Sequence, residues 1–277
     1  VNEVALGTQN HCTVADTVVN ILKTNQSGKN HMKKLSTLAC AAVLSVPSLS
    51  LADTLSVSIG GGMWKEDPSG YFRNQSLGDT TDVDVNDDLF WTEENQGYLF
   101  VTFEHPVPLV PNFRVMTTNL DHSGSGTASF QLNGKTFTGD VSSSGSLDQT
   151  DFTAYWEVLD NVVSLDLGVT AKKLDFSYSV TSVGQSTSDS FSATLPMLYG
   201  MVGASPLPGL FLGVEGNWTA YDSNTLTDLV AKVSYTTDFF LGIEGGYRSQ
   251  SYEIEDLDGY YGKLEFKGPF IGAYVKF

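Results

Sequence analysis

The chain has 277 residues, with 15 Lys and Arg against 32 Asp and Glu and a formal net charge of −17. An acid excess of that size excludes nucleic acid and anionic surfaces as electrostatic partners. Aromatics at 12% and 27 glycines point to strands and turns, and no stretch stays apolar for the roughly 20 residues that a membrane helix needs.

In chain order, Met32-Lys33-Lys34 followed by the apolar run 35–46 and the small residues Ser50 and Ala52 reads as a secretory signal peptide, 32–52, cleaved before Asp53. Residues 1–31 then read as an upstream extension from an over-long translation start, with Val1 as a literally translated GTG codon. Cys12 and Cys40 both fall in these segments, so the expected mature chain, 53–277, contains no disulfide, thiolate metal site or cysteine nucleophile.

From residue 53 onward, segments of about ten residues alternate apolar and polar and are separated by turn formers. The sequence predicts short turns at 105–112, 159–161, 205–209 and 236–238, where Pro, Asn, Asp and Gly cannot continue a ladder. Four such turns imply ten strands in a single antiparallel up-and-down transmembrane β-barrel, with eight or twelve as alternatives. Apolar faces alternate along the chain, for example Leu55, Val57 and Ile59, then Leu99, Val101 and Phe103, then Phe152, Ala154, Trp156 and Val158, and later Leu229, Ala231, Val233 and Tyr235. The sixth strand is poorly specified, because Pro196 interrupts it and both faces near Leu198–Val202 are apolar. Trp156, Tyr235, Tyr247, Tyr274 and Phe277 are expected at membrane interfaces. Long loops are expected at 65–95, 122–149, 180–192, 222–227 and 255–259. Within the second, Asn133-Gly134 between alternating residues predicts a projecting hairpin. Phe211-Leu212-Gly213-Val214-Glu215-Gly216 recurs as Phe240-Leu241-Gly242-Ile243-Glu244-Gly245, the mark of equivalent strands starting at one depth.

The opposite face of these strands places Glu104, Asp151, Glu157, Asp166, Glu215 and Glu244 in the lumen with Arg114, Lys172, Lys232, Arg248 and Lys276. Charges facing a narrow lumen are costly unless paired, so near-balance implies a plug of salt bridges, in which Lys232 is expected to bridge Glu215 and Glu244. In the first loop, Asp82, Asp84, Asn86, Asp88 and Glu93 stand at the register of a calcium loop, although Asp87 occupies the position that such loops give to Gly. No cofactor is implied.

The final strand, Phe270 to Phe277, puts Ile271, Ala273, Val275 and Phe277 on one face and stops on an aromatic carboxyl terminus. With the signal peptide, the alternating strands and the repeat, this ending resembles the small outer-membrane β-barrel proteins of Gram-negative bacteria to which no activity is assigned. The resemblance implies an outer-membrane location with loops extracellular and both mature termini periplasmic. It also implies surrounding lipid and lipopolysaccharide, recognition of the last strand by the barrel-assembly machinery, and a monomer. Three roles stay open. They are a structural or surface-interaction barrel with a plugged or narrow lumen, a narrow channel for small solutes or ions, and a hydrolase like the omptin proteases, for which Asp82/Asp84 and Asp121-His122 are the candidate groups. Adjacent residues point to opposite faces of a strand, which counts against the last.

Overall fold

The computed structural model describes residues 55–221, 223–257 and 259–277. The expected signal peptide and cleavage site and both cysteines lie outside the described residues.

Ten long antiparallel strands form the wall: β1 (Ser56–Asn74), β3 (Glu94–Glu104), β4 (Asn112–Leu132), β5 (Lys135–Asp160), β6 (Val163–Ser182), β7 (Gln185–Leu207), β8 (Leu210–Tyr221), β9 (Asn224–Thr236), β10 (Leu241–Leu257) and β11 (Tyr260–Lys276). A two-residue strand, β2 (Val83–Asp84), adds to β1. Each long strand pairs with its sequence neighbours, and β11 pairs with β1 from Ser58↔Lys276 to Asn74↔Tyr260, closing the ring. Val57 and Phe277 exchange backbone hydrogen bonds of 3.1 and 2.9 Å at the seam. Closure leaves no edge in the membrane-spanning part, which is what a bilayer demands of a sheet.

The four connections 105–111, 161–162, 208–209 and 237–240 stand at one end, here the turn end, where the sequence placed its turns. Outward side chains above them form a continuous apolar band that includes Leu99, Phe152, Leu167, Leu212, Val233 and Ile271, all exposed. Tyr274 departs from expectation. It sits on the inward face of β11 and its hydroxyl lies 2.7 Å from Thr236 Oγ1, so it is part of the lumen and not of a girdle.

At the other end, the loop end, strand lengths diverge. β3, β8 and β9 have 11, 12 and 13 residues, enough to cross the band, whereas β4, β5, β6 and β7 have 21, 26, 20 and 23. The surplus on β4–β7 is about ten residues per strand, or about 30 Å of extended chain. The predicted loops 122–149 and 180–192 are therefore almost entirely strand, while of the predicted loop 65–95 β1 takes 65–74 and β3 takes 94–95. Their connections shrink to 75–93, Asn133-Gly134 and Val183-Gly184. Asn133 and Gly134 both adopt positive φ, 51° and 69°, as a two-residue hairpin turn requires. The outward face of this projecting sheet carries Ser and Thr in facing rows, such as Ser125↔Ser142↔Thr181 and Ser123↔Ser144↔Ser179, and such hydroxyl-rich segments read as loop in the sequence.

The ring opens at two places there. β3 leaves β4 after Tyr98↔Thr118, and β8 leaves β7 after Trp218↔Leu198. Pro196 lies just past that second parting, where no β8 partner asks for its missing N–H, so β7 runs through it without a break.

Candidate functional site: the barrel interior and its cap

Inward residues stack in layers from the turn end upward. At the bottom, Glu104 accepts from Lys276 Nζ at 3.0 Å, Ser56 Oγ at 2.8 Å and Tyr155 hydroxyl at 3.1 Å, while Asn112 Nδ2 donates to Glu157 at 3.1 Å. Asp166 is buried nearby. In the next layer Glu215 lies between two cations, with Arg114 at 2.8 Å and Lys232 at 3.2 Å. The expected acid–base–acid bridge is thus corrected to base–acid–base. Glu244 instead accepts from Tyr98 hydroxyl at 2.7 Å. A cavity of about 20 Å³, lined by Trp64, Arg114, Glu215, Lys232, Glu244 and Arg248 among others, has room for about one or two waters.

Above it lies the most closely coupled group. Asp228 takes a forked pair of hydrogen bonds from Arg248, at 2.9 and 2.7 Å, and further bonds from Lys172 at 3.2 Å and Gln250 at 2.8 Å. Lys172, with 1% of its side chain exposed, also reaches Asp151 at 2.8 Å, and Arg248 donates to Thr118 Oγ1 at 3.0 Å while its guanidinium lies 5.0 Å from the centre of the Trp64 ring. Two acids and two bases balance in this layer, so burial leaves no net charge. The Gln149 and Gln250 amides each donate to the other, at 3.0 and 2.9 Å. Their strands, β5 and β10, are five places apart in the ring in either direction, so this pair spans the diameter. An apolar belt of Leu120, Leu147, Leu174, Met197, Leu226 and Phe266 covers the charged layer.

Asp228, Gln149 and Gln250 belong to this network without standing among the lumen charges that alternation predicts. Gln149 falls at the end of the predicted loop 122–149, and Asp228 lies one residue past the predicted loop 222–227. Extending the alternation of Lys232 and Val230 by one more step would have turned Asp228 inward.

The cap is the connection 75–93. It folds back over the inner face of the projecting sheet, where Val83, Val85, Leu89 and Trp91 join Phe72, Leu132, Phe137, Val141 and Val180 in a second buried core. Glycines on the sheet make the approach possible: a Cβ at Gly124 would collide with the Leu89 and Phe90 carbonyls, and one at Gly145 with the Trp91 ring. Trp91 Nε1 donates to Ser143 Oγ at 3.0 Å, and Ser143 donates in turn to the Leu89 carbonyl at 2.5 Å. Buried Asp79 accepts from Asn74 N at 3.0 Å and from Gly134 N at 2.9 Å, fastening the cap to the hairpin tip.

The five calcium candidates do not converge. Asp82 pairs with Arg73 at 2.7 Å and Glu93 with Lys65 at 2.7 Å. Asp84 accepts from the backbone of Asn86 and Asp87, Asp88 accepts from the backbone of Asp84, and the Asn86 amide donates to the carbonyls of Pro68 and Trp91. These bonds close a tight turn of the cap. Among the described residues no group of three or more His, Cys, Asp or Glu side chains could hold a metal ion. Burial, reinforced by the neighbouring Asp84 and Asp87 charges and opposed by the backbone hydrogen bond, raises the Asp88 carboxyl above its ordinary value.

The hydrolase candidates separate as strand geometry requires. Asp121 is exposed on the outer face, while His122 is buried between the rings of Trp91 and Phe266, with centroids at 5.3 and 5.9 Å. Its Nε2 lies 3.0 Å from Glu66 Oε1, an ion-pair distance without hydrogen-bond alignment.

No family model and no curated protein sequence matches the chain. Solved structures do. The outer-membrane protease OmpT from Escherichia coli superposes with a TM-score of 0.52 at 9% identity, covering 82% of this chain and 99% of that one. Ail, the attachment invasion locus protein of Yersinia pestis, gives a TM-score of 0.36 at 11% identity over 80% of this chain and 99% of that one. The translocator domain of the autotransporter NalP from Neisseria meningitidis gives 0.37 at 14% over 83% and 91%. At these identities the likeness is one of architecture: the chain has the fold of an outer-membrane β-barrel.

Proposed function

We propose that this barrel is a non-enzymatic, plugged protein of the outer membrane, a monomer whose working surface is the projecting sheet and its cap. The loop end is extracellular in this reading, and the turn end and both mature termini face the periplasm. Outer-membrane lipid and lipopolysaccharide surround the apolar band. Ile271, Ala273, Val275 and Phe277 carry the signal to the assembly machinery, with Ile271 and Phe277 exposed on the outer wall.

The observation that carries the reading is the reciprocal Gln149–Gln250 pair, an amide bridge across the full diameter embedded in the Asp228–Arg248–Lys172 layer. A hydrated ion moving along the axis would have to break it together with the ion pairs beside it. A conducting pore keeps its lumen charges in water instead, where paired charges contribute about 1 kcal/mol or less. Insertion of the purified protein into planar bilayers tests the proposal. No steady single-channel conductance is expected, and an ohmic conductance on the scale of hydrated ions would overturn it in favour of a narrow channel.

A further inference from the structure

We infer that the turn end of the barrel is itself a lipid-binding surface, with all four turns seated in the phospholipid interface of the adjacent leaflet instead of standing in water. The inference rests on the reading of the chain as a membrane-spanning barrel.

The first observation is what the turns expose. Leu109 is 90% accessible, Phe239 85%, Val162 and Leu207 62% each, Phe240 59% and Val107 51%. These side chains come from three of the turns and, at Leu207, from the strand end that enters the fourth, so they ring the whole circumference. Within 105–111, 161–162, 208–209 and 237–240 there is one acid, Asp238, and no Lys or Arg, and Asp160 at the end of β5 adds one exposed acid beside them. The loop end instead carries charge beside a highly exposed apolar tip residue, Val183, with Lys135, Glu253 and Glu255 exposed close to the hairpin tips.

The second observation is where the polar groups of the turns go. Each of three turns hands a carbonyl to the next strand: Ser205 N donates to Val162 O at 2.9 Å, Thr236 N to Gly209 O at 2.8 Å and Lys276 N to Phe240 O at 2.8 Å. In the remaining turn, His105 Nδ1 accepts from Val107 N at 3.1 Å, which leaves Nε2 to carry the proton and donate to Pro111 O, also at 3.1 Å. Backbone at the edge of hydrocarbon needs such internal pairing, and these turns supply it.

Third, the longest turn bends onto the outer wall. Trp156, an outward residue, donates from Nε1 to Leu109 O at 3.4 Å, and the His105 ring lies 5.9 Å from that of outward-facing Phe103. The apolar ring is therefore continuous with the lipid-facing band. A protein partner would occupy one sector of such a ring, while a leaflet occupies all of it. The lack of cations directs the surface to the glycerol and upper acyl region, not to anionic headgroups.

The test places an environment-sensitive fluorophore at Leu109→Cys, and separately at Phe239→Cys and Val162→Cys, in the full chain with Cys12→Ser and Cys40→Ser. The labelled protein, refolded into phosphatidylcholine vesicles, is read with lipids spin-labelled near the glycerol. Only the heat-modifiable, folded fraction is scored, and three independent sites guard against one that disturbs a turn. Leu212→Cys in the band and Lys135→Cys on the hairpin serve as references. The turn labels should show blue-shifted emission and lose intensity to spin-labelled lipid, as the Leu212 label does. Water-like emission matching the Lys135 label would overturn the inference and leave the ring to a soluble partner. Losses that follow protein density instead of labelled lipid would overturn it in favour of a second copy. Failure of the Leu212 label to respond would remove the membrane reading itself, and this inference with it.

Discussion

The protein holds two buried cores that solve one geometric problem differently. Inside the ring, strands on opposite sides face each other, so side chains alone fill the space, and Gln149 on β5 meets Gln250 on β10 without help from any loop. Outside it, β3 and β8 have ended, and the four-stranded sheet β4–β7 meets the shorter ends of β1 and β11 only in part, through Phe72 against Tyr178 at 5.5 Å and Tyr260 hydroxyl to Asp189 at 2.6 Å. The connection 75–93 supplies what is missing, placing Leu89 and Trp91 against Leu132, Phe137 and Val141. The interior core sets charged layers beneath an apolar belt and is closed by topology. The cap core is apolar and closed by a returning segment, held by a few identifiable fasteners such as Asp79 and Trp91. The two should therefore respond separately to substitution.

The sharpest way to break that separation is Asp228→Ala. It leaves Arg248 and Lys172 buried with only Asp151 to balance them, and removal of one partner from a buried ion pair costs about 3–5 kcal/mol. Urea unfolding of vesicle-inserted protein, followed by the heat-dependent gel shift, should show a large drop in midpoint while amide exchange in the cap segment 79–91 stays near the parent's. Equal acceleration in both regions would show one cooperative core.

Trp91→Ala addresses the other half. Truncating a buried Trp costs about 3–5 kcal/mol, but here the loss should fall on the cap alone. Proteolysis within 75–93 and exchange along β4 and β5 beyond Asp121 should accelerate, with the barrel's urea midpoint hardly moved. A matching fall in that midpoint would join the two cores.

Lys232→Met sharpens the account within the lumen. Glu215 keeps Arg114 at 2.8 Å when Lys232 is removed, and Lys232 is itself 19% exposed, so a smaller loss of about 1–3 kcal/mol is expected. A change no greater than that of a surface lysine such as Lys173 would point to a water-filled lumen.

How far the sequence foretold this depends on which force set each feature. The turns and the outward band were legible because Pro, Asn and Gly exclude ladder positions and because lipid rewards strict alternation. Leu229, Ala231, Val233 and Tyr235 all face outward as expected. Strand length was not legible. Ser123, Ser125, Ser142 and Ser144 sit on a water-facing sheet surface where hydroxyls serve as well as any residue, so nothing apolar marks the strands, and the inward glycines beside them look like loop until the cap that they admit is known. Pairing in the lumen was legible in sign but not in partner. Depth along a tilted strand decides whether Lys232 meets Glu215 or Glu244, and alternation carries no depth.

The smallest expected effect belongs to Asp88. Its raised carboxyl means that the folded cap holds more proton than the unfolded segment between the two pKa values, so cap stability falls as pH rises through that window, from about 3.9 upward. Amide exchange of 83–91 across acid pH should show this slope in the parent and lose it in Asp88→Asn. A cap that tightened with rising pH would reverse the sign and contradict the assignment.

The central claim is that the crossing side chains, not the cap, seal the barrel. Planar-bilayer conductance of three proteins tests it most directly: the parent, a variant with 79–91 replaced by a short Gly-Ser linker, and Gln149→Ala/Gln250→Ala. The parent and the capless protein should stay closed, and only the doubly truncated lumen should pass ions. Steady conductance on removal of the cap alone would place the seal at the mouth and contradict the account.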